Sequence, residues 1–329
     1  MQGRVTLDRV RPADAPAIRD GLRDWQVARW LSSVPWPYGL DDAMDFIKSA
    51  GAREWAIRVD GQFAGMVRAR RDFGIWMAQP WQRRGLALRA SVLALSRAFA
   101  GGSAQISASH FEGNHRSAAL LAKLGFRDAG PKQIPSRAEG TRLPGRRLLL
   151  TRATFGARHG LRLETPRLTI DGMRAADLHD LRRIGTDCAV ARMLLRFHAA
   201  MTETDLIALF PDESLVPPFR LVARRKNRVC GSIGIGAGKV PPIWYFLDPA
   251  IAGAGLGTEM LRAFLAEVQL RYGLTEIEAQ VFADNPASRH MLEREGFSVT
   301  GNIMLNSAAR SVPAAGLLMR WQPPALSFV

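Results

Sequence analysis

What most limits the folds open to this chain is that it is written twice. A short apolar run at 73–77 ends at Pro80 and passes through Gln82-Arg83-Arg84-Gly85-Leu86-Ala87. A helical pattern follows without a gap, with Leu88, Val92, Leu95 and Phe99 on one face. The run at 243–247 does the same, through Ala252-Gly253-Ala254-Gly255-Leu256-Gly257 into a helix opening on Thr258 and Glu259. Around these loops other blocks repeat in order. Val5-Thr-Leu-Asp8 through Asp14 lines up with Leu168-Thr-Ile-Asp171 through Asp177. Phe111 through Asn114, Ser117, Gly125 and Phe126 lines up with Phe282 through Asn285, Ser288, Gly296 and Phe297. Ordered blocks at a nearly constant offset are the signature of a duplicated domain. The expected units are 1–155 and 160–329, with 151–162 as a linker between them.

Each loop is built for an anion. The first amides of a helix have no intrahelical acceptor, and a strand–glycine–helix junction points them at whatever lies in front. Gly85 and Gly255 let the backbone approach a phosphate closely. Other glycine-loop devices fail on spacing. Gly236-Ala-Gly238-Lys239 is followed by Val240, where a P-loop needs Ser or Thr. Gly253-x-Gly255-x-Gly257 is not the dinucleotide pattern, and no acidic residue is placed to hold a ribose. A plain strand-to-helix turn would also use glycine. Two loops in matching contexts favour a pyrophosphate.

The remaining pattern predicts, in each half, an α/β unit with a mainly antiparallel sheet and one crossover helix, which should be right-handed. In the first half a strand covers 5–11, Asp14 caps a helix, and Asp41 or Asp42 caps another. Asp60-Gly61 turns a hairpin, 105–110 is a strand, Asn114 or Ser117 opens a helix, and 147–151 is a late strand. The second half repeats the order: strand 167–171, helices from Asp177 and over 202–210, hairpin 219–236, strand 276–282, a helix from Pro286, and a late strand at 317–321. Arg224-Arg-Lys-Asn-Arg228 reads as the hairpin turn. Trp55 and Trp76 are expected in the core, while Trp25, Trp30 and Trp36 are free to line a groove.

Composition excludes several classes. The 329 residues, 47% hydrophobic and 23% charged, suit two globular domains. No apolar run reaches membrane-spanning length, and the opening Met1-Gln-Gly-Arg-Val-Thr has no leader core, so a cytoplasmic protein is expected. Cys188 and Cys230 are the only cysteines, which predicts reduced thiols; no Cys/His cluster has metal spacing. The net charge of +15 comes almost wholly from scattered arginine, not from the basic stripe of a nucleic-acid binder, though it leaves an acidic partner such as the ribosome open.

With these motifs in view, each half resembles the GNAT N-acetyltransferases, in the branch that acetylates ribosomal-protein N-termini. Gln82-x-x-Gly85-x-Ala87 is similar to that family's coenzyme loop, Gly125-Phe126 and Gly296-Phe297 to its closing pair, and Leu163-Glu-Thr-Pro-Arg-Leu-Thr-Ile170 to the branch's opening strand. The resemblance implies two tandem GNAT-like domains, acetyl-CoA as cosubstrate, no metal, and an amine acceptor, either a small molecule or a protein N-terminus. It implies cofactor contacts from Gln82, Arg83, Arg84, Gly85, Leu86, Ala87 and Asn114, and from Ala252, Gly253, Ala254, Gly255, Leu256, Gly257, Thr258 and Asn285. Asn114 and Asn285 read equally well as helix caps. Leu88 and Arg89 replace the branch's Thr and Glu, which the second half keeps, and Ala252 stands where the first half has Gln82.

The tyrosine that often protonates the leaving thiolate is replaced by Leu121 and Leu292. For a base, Glu278 alternates with apolar neighbours on the strand after the second loop helix and is expected near the thioester; its first-half counterpart is Ser107. Asp248 and His110 are the other candidates. On these residues turnover is expected mainly in the second half. A coenzyme-binding sensor or scaffold without catalysis is the rival reading.

Overall fold

The computed structural model describes residues 4–210 and 217–322. Met1-Gln-Gly, part of the opening read above as lacking a leader, lies outside the described residues. The chain divides into two compact units, Met1–His159 and Gly160–Val329.

In the first unit the strands are β1 (Val5–Arg9), β2 (Glu54–Val59), β3 (Gln62–Ala69), β4 (Asp72–Met77), β5 (Gln105–Phe111), β6 (Arg127–Ser136) and β7 (Thr141–Thr151). They form one sheet in the order β1-β2-β3-β4-β5-β7-β6. Every pairing is antiparallel except β4 with β5. The helices are α1 (Ala15–Leu22), α2 (Trp25–Ala28), α3 (Leu40–Ser49), α4 (Leu86–Ala100), α5 (His115–Leu124) and α6 (Arg152–His159). The β2–β3 hairpin turns on Asp60 and Gly61, both at positive φ (49° and 82°), as an Asp-Gly turn requires. α4 is the crossover between the two parallel strands, and it buries Leu93, Ala94, Leu95 and Phe99.

The second unit repeats this order. Its strands are β8 (Leu163–Glu164), β9 (Thr169–Asp171), β10 (Phe219–Arg225), β11 (Arg228–Ile235), β12 (Pro242–Leu247), β13 (Ile277–Phe282), β14 (Phe297–Leu305) and β15 (Ala314–Trp321). From the β8 edge the sheet runs β8-β9-β10-β11-β12-β13-β15-β14. Again only one pairing, β12 with β13, is parallel. Its helices are α7 (Leu178–Gly185), α8 (Cys188–Ala191), α9 (Glu203–Ala208), α10 (Leu256–Tyr272) and α11 (Pro286–Arg294). α10 packs Met260, Leu261, Phe264 and Val268 against the sheet, all fully buried. The other face carries α7 to α9 over Val222 and Phe246. The fold is therefore the expected pair of mostly antiparallel α/β units.

A buried ion triad staples the start of each unit to its hairpin. Arg58 donates to Asp8 (3.1 Å) and to both oxygens of Asp14 (3.0 and 3.1 Å). Arg224, its counterpart, donates to Asp171 and Asp177 with a side chain only 2% exposed. Asp14 and Asp177 thus do not cap α1 and α7 with their side chains; each also accepts the backbone N–H three residues earlier, from Arg11 at 2.8 Å and Arg174 at 2.7 Å. The α3 cap also differs in detail: Asp42 reaches back to the Gly39 amide from the third helical position.

The stretch expected to link the units is α6, whose Phe155 is fully buried beside Phe99. The β10–β11 turn is at Lys226 and Asn227, both with positive φ, so Arg224, Arg225 and Arg228 belong to the strands and only the two residues between them to the turn. Among the described residues, no helix is long and apolar enough to cross a membrane.

Candidate active site

The site in each unit begins where the two parallel strands part. β4 and β5 are in register only at Asp72–Ser107 and Phe73–Ala108. Beyond that point they diverge, and β4 ends in a 3-10 turn, Gln79–Trp81, that delivers the chain to the loop. In the loop Arg83 (φ 60°) and Gly85 (φ 74°) are left-handed, with right-handed α4 immediately after. Alternating conformations of this kind turn successive amides to one side. Among the described residues the N–H groups of Arg83, Arg84, Gly85, Leu86 and Ala87 meet no acceptor, and the first bond back into the loop is Arg89 N to Gly85 O at 3.4 Å. These amides and the α4 dipole make an anion seat.

The second unit builds the same backbone from different residues. β12 and β13 pair only at Pro242–Glu278 and Ile243–Ala279 before diverging. Gly253 (φ 78°) and Gly255 (φ 74°) take the left-handed positions of Arg83 and Gly85. The amides from Gly253 to Gly257 likewise meet no acceptor among the described residues.

The surroundings of the two seats differ. In the first unit Gln82 donates to Met77 O (2.9 Å) and accepts from Arg116 (3.0 Å). Arg84 lies over the Trp81 ring at 5.2 Å. In the second unit the matching positions are Ala252, Ala287 and Ala254. There Arg167 donates to Ala254 O (2.7 Å) and to Glu259 (2.6 Å), and Glu259 also accepts from the Thr165 hydroxyl. Burial pushes the Glu259 carboxyl up, but the bonds from Thr165 and Arg167 outweigh it and hold the group below its usual range. The glutamate kept by the second half therefore clamps the opening segment, while Thr258 is half-buried in the first turn of α10.

A cleft of about 1700 Å³ opens in the first unit. It is lined by Trp76 and Met77 of β4, by Arg83 and Gly85, by His110 of β5, and by Asn114 and Ser117 at the start of α5. Trp30 and Trp81 also face it; Trp55 is buried, whereas Trp76, expected in the core, is half-buried at the cleft wall. In the second unit β12 is tied to the helix after β13: Tyr245 Oη lies 2.7 Å from Ser288 Oγ of α11. Ile75 stands at the Tyr245 position in the first unit. Met291 Sδ lies 2.8 Å from where a Cβ on Gly257 would be, so a larger residue there would have to displace that side chain.

Both asparagines cap helices. Asn114 Oδ1 accepts from Ser117 N and Asn285 Oδ1 from Ser288 N, each at 3.1 Å. The three titratable candidates separate sharply. Glu278 lies at the paired end of β13, opposite Pro242, with Arg320 Nη2 4.0 Å away. Five residues of β12 separate that register from Leu247 and the loop, about 16 Å of strand. Glu278 thus alternates with buried neighbours as expected and sits where β12 and β13 begin to diverge. Asp248 Oδ2 accepts from Arg183 (2.8 Å) and Oδ1 caps the following turn at Ala250 N (3.0 Å). Burial raises it, yet these bonds prevail and keep it below the usual carboxylate range, so it is a poor proton acceptor near neutrality. His110 Nδ1 is 2.9 Å from Phe111 O. A carbonyl can only accept, so Nδ1 donates in this bond, which leaves Nε2 as the acceptor nitrogen of the neutral tautomer.

Comparison with known proteins is decisive at the level of family. A model of the acetyltransferase (GNAT) domain matches residues 4–127 and again 167–298. The chain belongs to the GNAT acetyltransferase family. No curated protein matches it. Solved structures with a similar fold each cover about half of this GNAT chain. RimJ of Mycobacterium smegmatis, in complex with CoA-disulfide, is 20% identical with a TM-score of 0.43, over 51% of this chain and 88% of that one. The ribosomal-protein-S5-alanine acetyltransferase of Vibrio fischeri is 16% identical with a TM-score of 0.41, over 50% and 98%. The spermidine N-acetyltransferase of Vibrio cholerae, in complex with CoA and spermine, is 14% identical with a TM-score of 0.42, over 48% and 96%. At this distance nothing about a substrate of the GNAT chain follows from them.

Proposed function

We propose that this GNAT chain transfers acetyl from acetyl-CoA to a primary amine, and that the reaction takes place in the first unit. The observation that carries the reading is the open cleft lined both by the loop with the free amides of 83–87 and by His110. Free amides at a helix start fit the coenzyme diphosphate, and the gap between β4 and β5 fits the thioester arm. The residues proposed to hold the coenzyme are Gln82 to Ala87 and Asn114; Ala252 to Thr258 and Asn285 form the second seat.

The amine nitrogen attacks the acetyl carbonyl carbon and the carbon–sulfur bond breaks. His110 Nε2 takes the proton the amine must lose and returns it to the departing thiolate. Neither Leu121 nor Asp248 is needed for that balance. In the second unit Val281 stands where β5 has His110, and Tyr245 is engaged with Ser288 of α11, so that unit serves as a partner domain without turnover of its own. This reverses the division of labour expected from Glu278. The unit boundary at 159/160, the protein N-terminus as one acceptor class, and a cytoplasmic setting belong to the same reading.

The test is release of free thiol from acetyl-CoA in the presence of a panel of amines, including peptides with free N-termini. Thiol release should be seen with at least one amine. His110→Gln should lower kcat by about 10²-fold, the usual contribution of a positioned base, with the coenzyme Kd unchanged. If calorimetry shows coenzyme bound but Gly85→Glu leaves turnover intact while Gly255→Glu abolishes it, the first unit is not the catalytic one.

A further inference from the structure

The two seats share a backbone but not a charge. Around the first, Arg83 and Arg84 lie in the loop and Arg116 in the first turn of α5, all exposed. Arg58, Arg146, Arg224 and Arg262 are each neutralised by a carboxylate. Among the described residues no carboxylate lies within 4.0 Å of Arg83, Arg84 or Arg116. Two of the three are nonetheless held in place. Arg84 is laid over the Trp81 ring, and Arg116 is tied to Gln82, which is anchored in turn to Met77 O. At the second seat the three matching positions are Gly253, Ala254 and Ala287, and the nearby Arg167 is spent on Glu259 and Ala254 O.

The free amides of the loop suffice for a diphosphate. Three guanidiniums without a carboxylate partner, two of them held in place, exceed what that group needs. Coenzyme A carries one more anion close by, the dianionic phosphate on its ribose 3′ oxygen, next to the diphosphate. Guanidinium is suited to a phosphate dianion, through forked, charge-assisted hydrogen bonds.

We propose that Arg83, Arg84 and Arg116 form a reader of the coenzyme 3′-phosphate, which makes the first seat selective for coenzyme A over its 3′-dephospho form, and that the second seat lacks this selectivity. The inference rests on the coenzyme reading of the first unit.

The experiment is calorimetric titration of the full chain carrying Gly255→Glu, which silences the second seat, with coenzyme A and with dephospho-coenzyme A. At low salt, dephospho-coenzyme A should bind about 10-fold more weakly, and the gap should shrink as salt is raised and the exposed charges are screened. In the Arg83→Ala, Arg84→Ala, Arg116→Ala variant the gap should fall below about 2-fold. The corresponding triple lysine variant, which keeps the charge but not the fork, should retain an intermediate gap and controls for loss of fold. Equal affinity for the two forms overturns the proposal while leaving the coenzyme reading intact. A gap that survives the alanine variant overturns the assignment to these residues. Failure of either ligand to bind overturns the coenzyme reading and the proposal with it.

Discussion

The paired ion triads predict unequal losses from the same substitution. Arg224 and Asp177 have side chains 2% and 7% exposed, and Asp171 is 11% exposed. Asp177→Ala removes one of the two carboxylates facing a guanidinium that water barely reaches. It also frees the Arg174 amide that Asp177 accepts. Removing one partner of a buried pair costs about 3–5 kcal/mol, and the remaining Asp171 puts this case at about 3 kcal/mol. In the first unit Arg58 is 12% exposed and Asp8 36%, so water reaches the site and Asp14→Ala should cost about 1.5–2 kcal/mol. For units of this size 1 kcal/mol shifts Tm by about 2–4 °C. Scanning calorimetry of the full chain should therefore show a fall of roughly 10 °C for Asp177→Ala and roughly 5 °C for Asp14→Ala in the transition concerned. An equal fall, or a larger one for Asp14→Ala, refutes the argument that burial sets the cost.

Phe155→Ala should lower the stability of the first unit by about 3–4 kcal/mol, measured by urea unfolding, because α6 is part of that unit's core and not a tether. Arg220 is enclosed by Phe197, Phe210 and Trp244, its Nε and Nη1 have no partner among the described residues, and burial, with help from Arg196, pulls its pKa down to about 9. The fold disfavours that charge, so Arg220→Met should leave the second unit as stable or raise its stability by about 1–3 kcal/mol; a fall in Tm would refute this.

The duplication, the sheet class and both loops could be read from the sequence because each depends on local pattern. A glycine at a strand–helix junction or an Asp-Gly turn fixes backbone geometry wherever the chain goes next. The edge strands β6 and β14 could not. Gly130, Pro131 and Pro135 look like a loop, and most of β6 is exposed, so no apolar alternation marks it. The partners of Asp14 and Asp177 are distant in sequence, and only tertiary structure turns a plausible cap into an ion triad. The ion pair of Asp248 was hidden for the same reason, since Arg183 is far away in the chain. Glu278 was given the correct face of its strand, but the point where β12 and β13 separate is a property of the whole sheet. The catalytic promise of His110 became visible only with the neighbour that fixes its tautomer. The cationic rim was present in the sequence as Arg83, Arg84 and Arg116, and was hidden by the many arginines around it.

The left-handed turn at residue 83 puts rigidity and recognition in opposition at a single position. A non-glycine side chain in that conformation carries a strain of about 1 kcal/mol, which Gly253 avoids at the equivalent place. Arg83→Gly would relieve the strain and also loosen the unfolded chain, two effects of similar size and opposite sign. The melting temperature should then barely move while the affinity for a charged nucleotide falls. Selection for a sturdier protein would be nearly blind to this residue, and selection for tighter coenzyme capture would not.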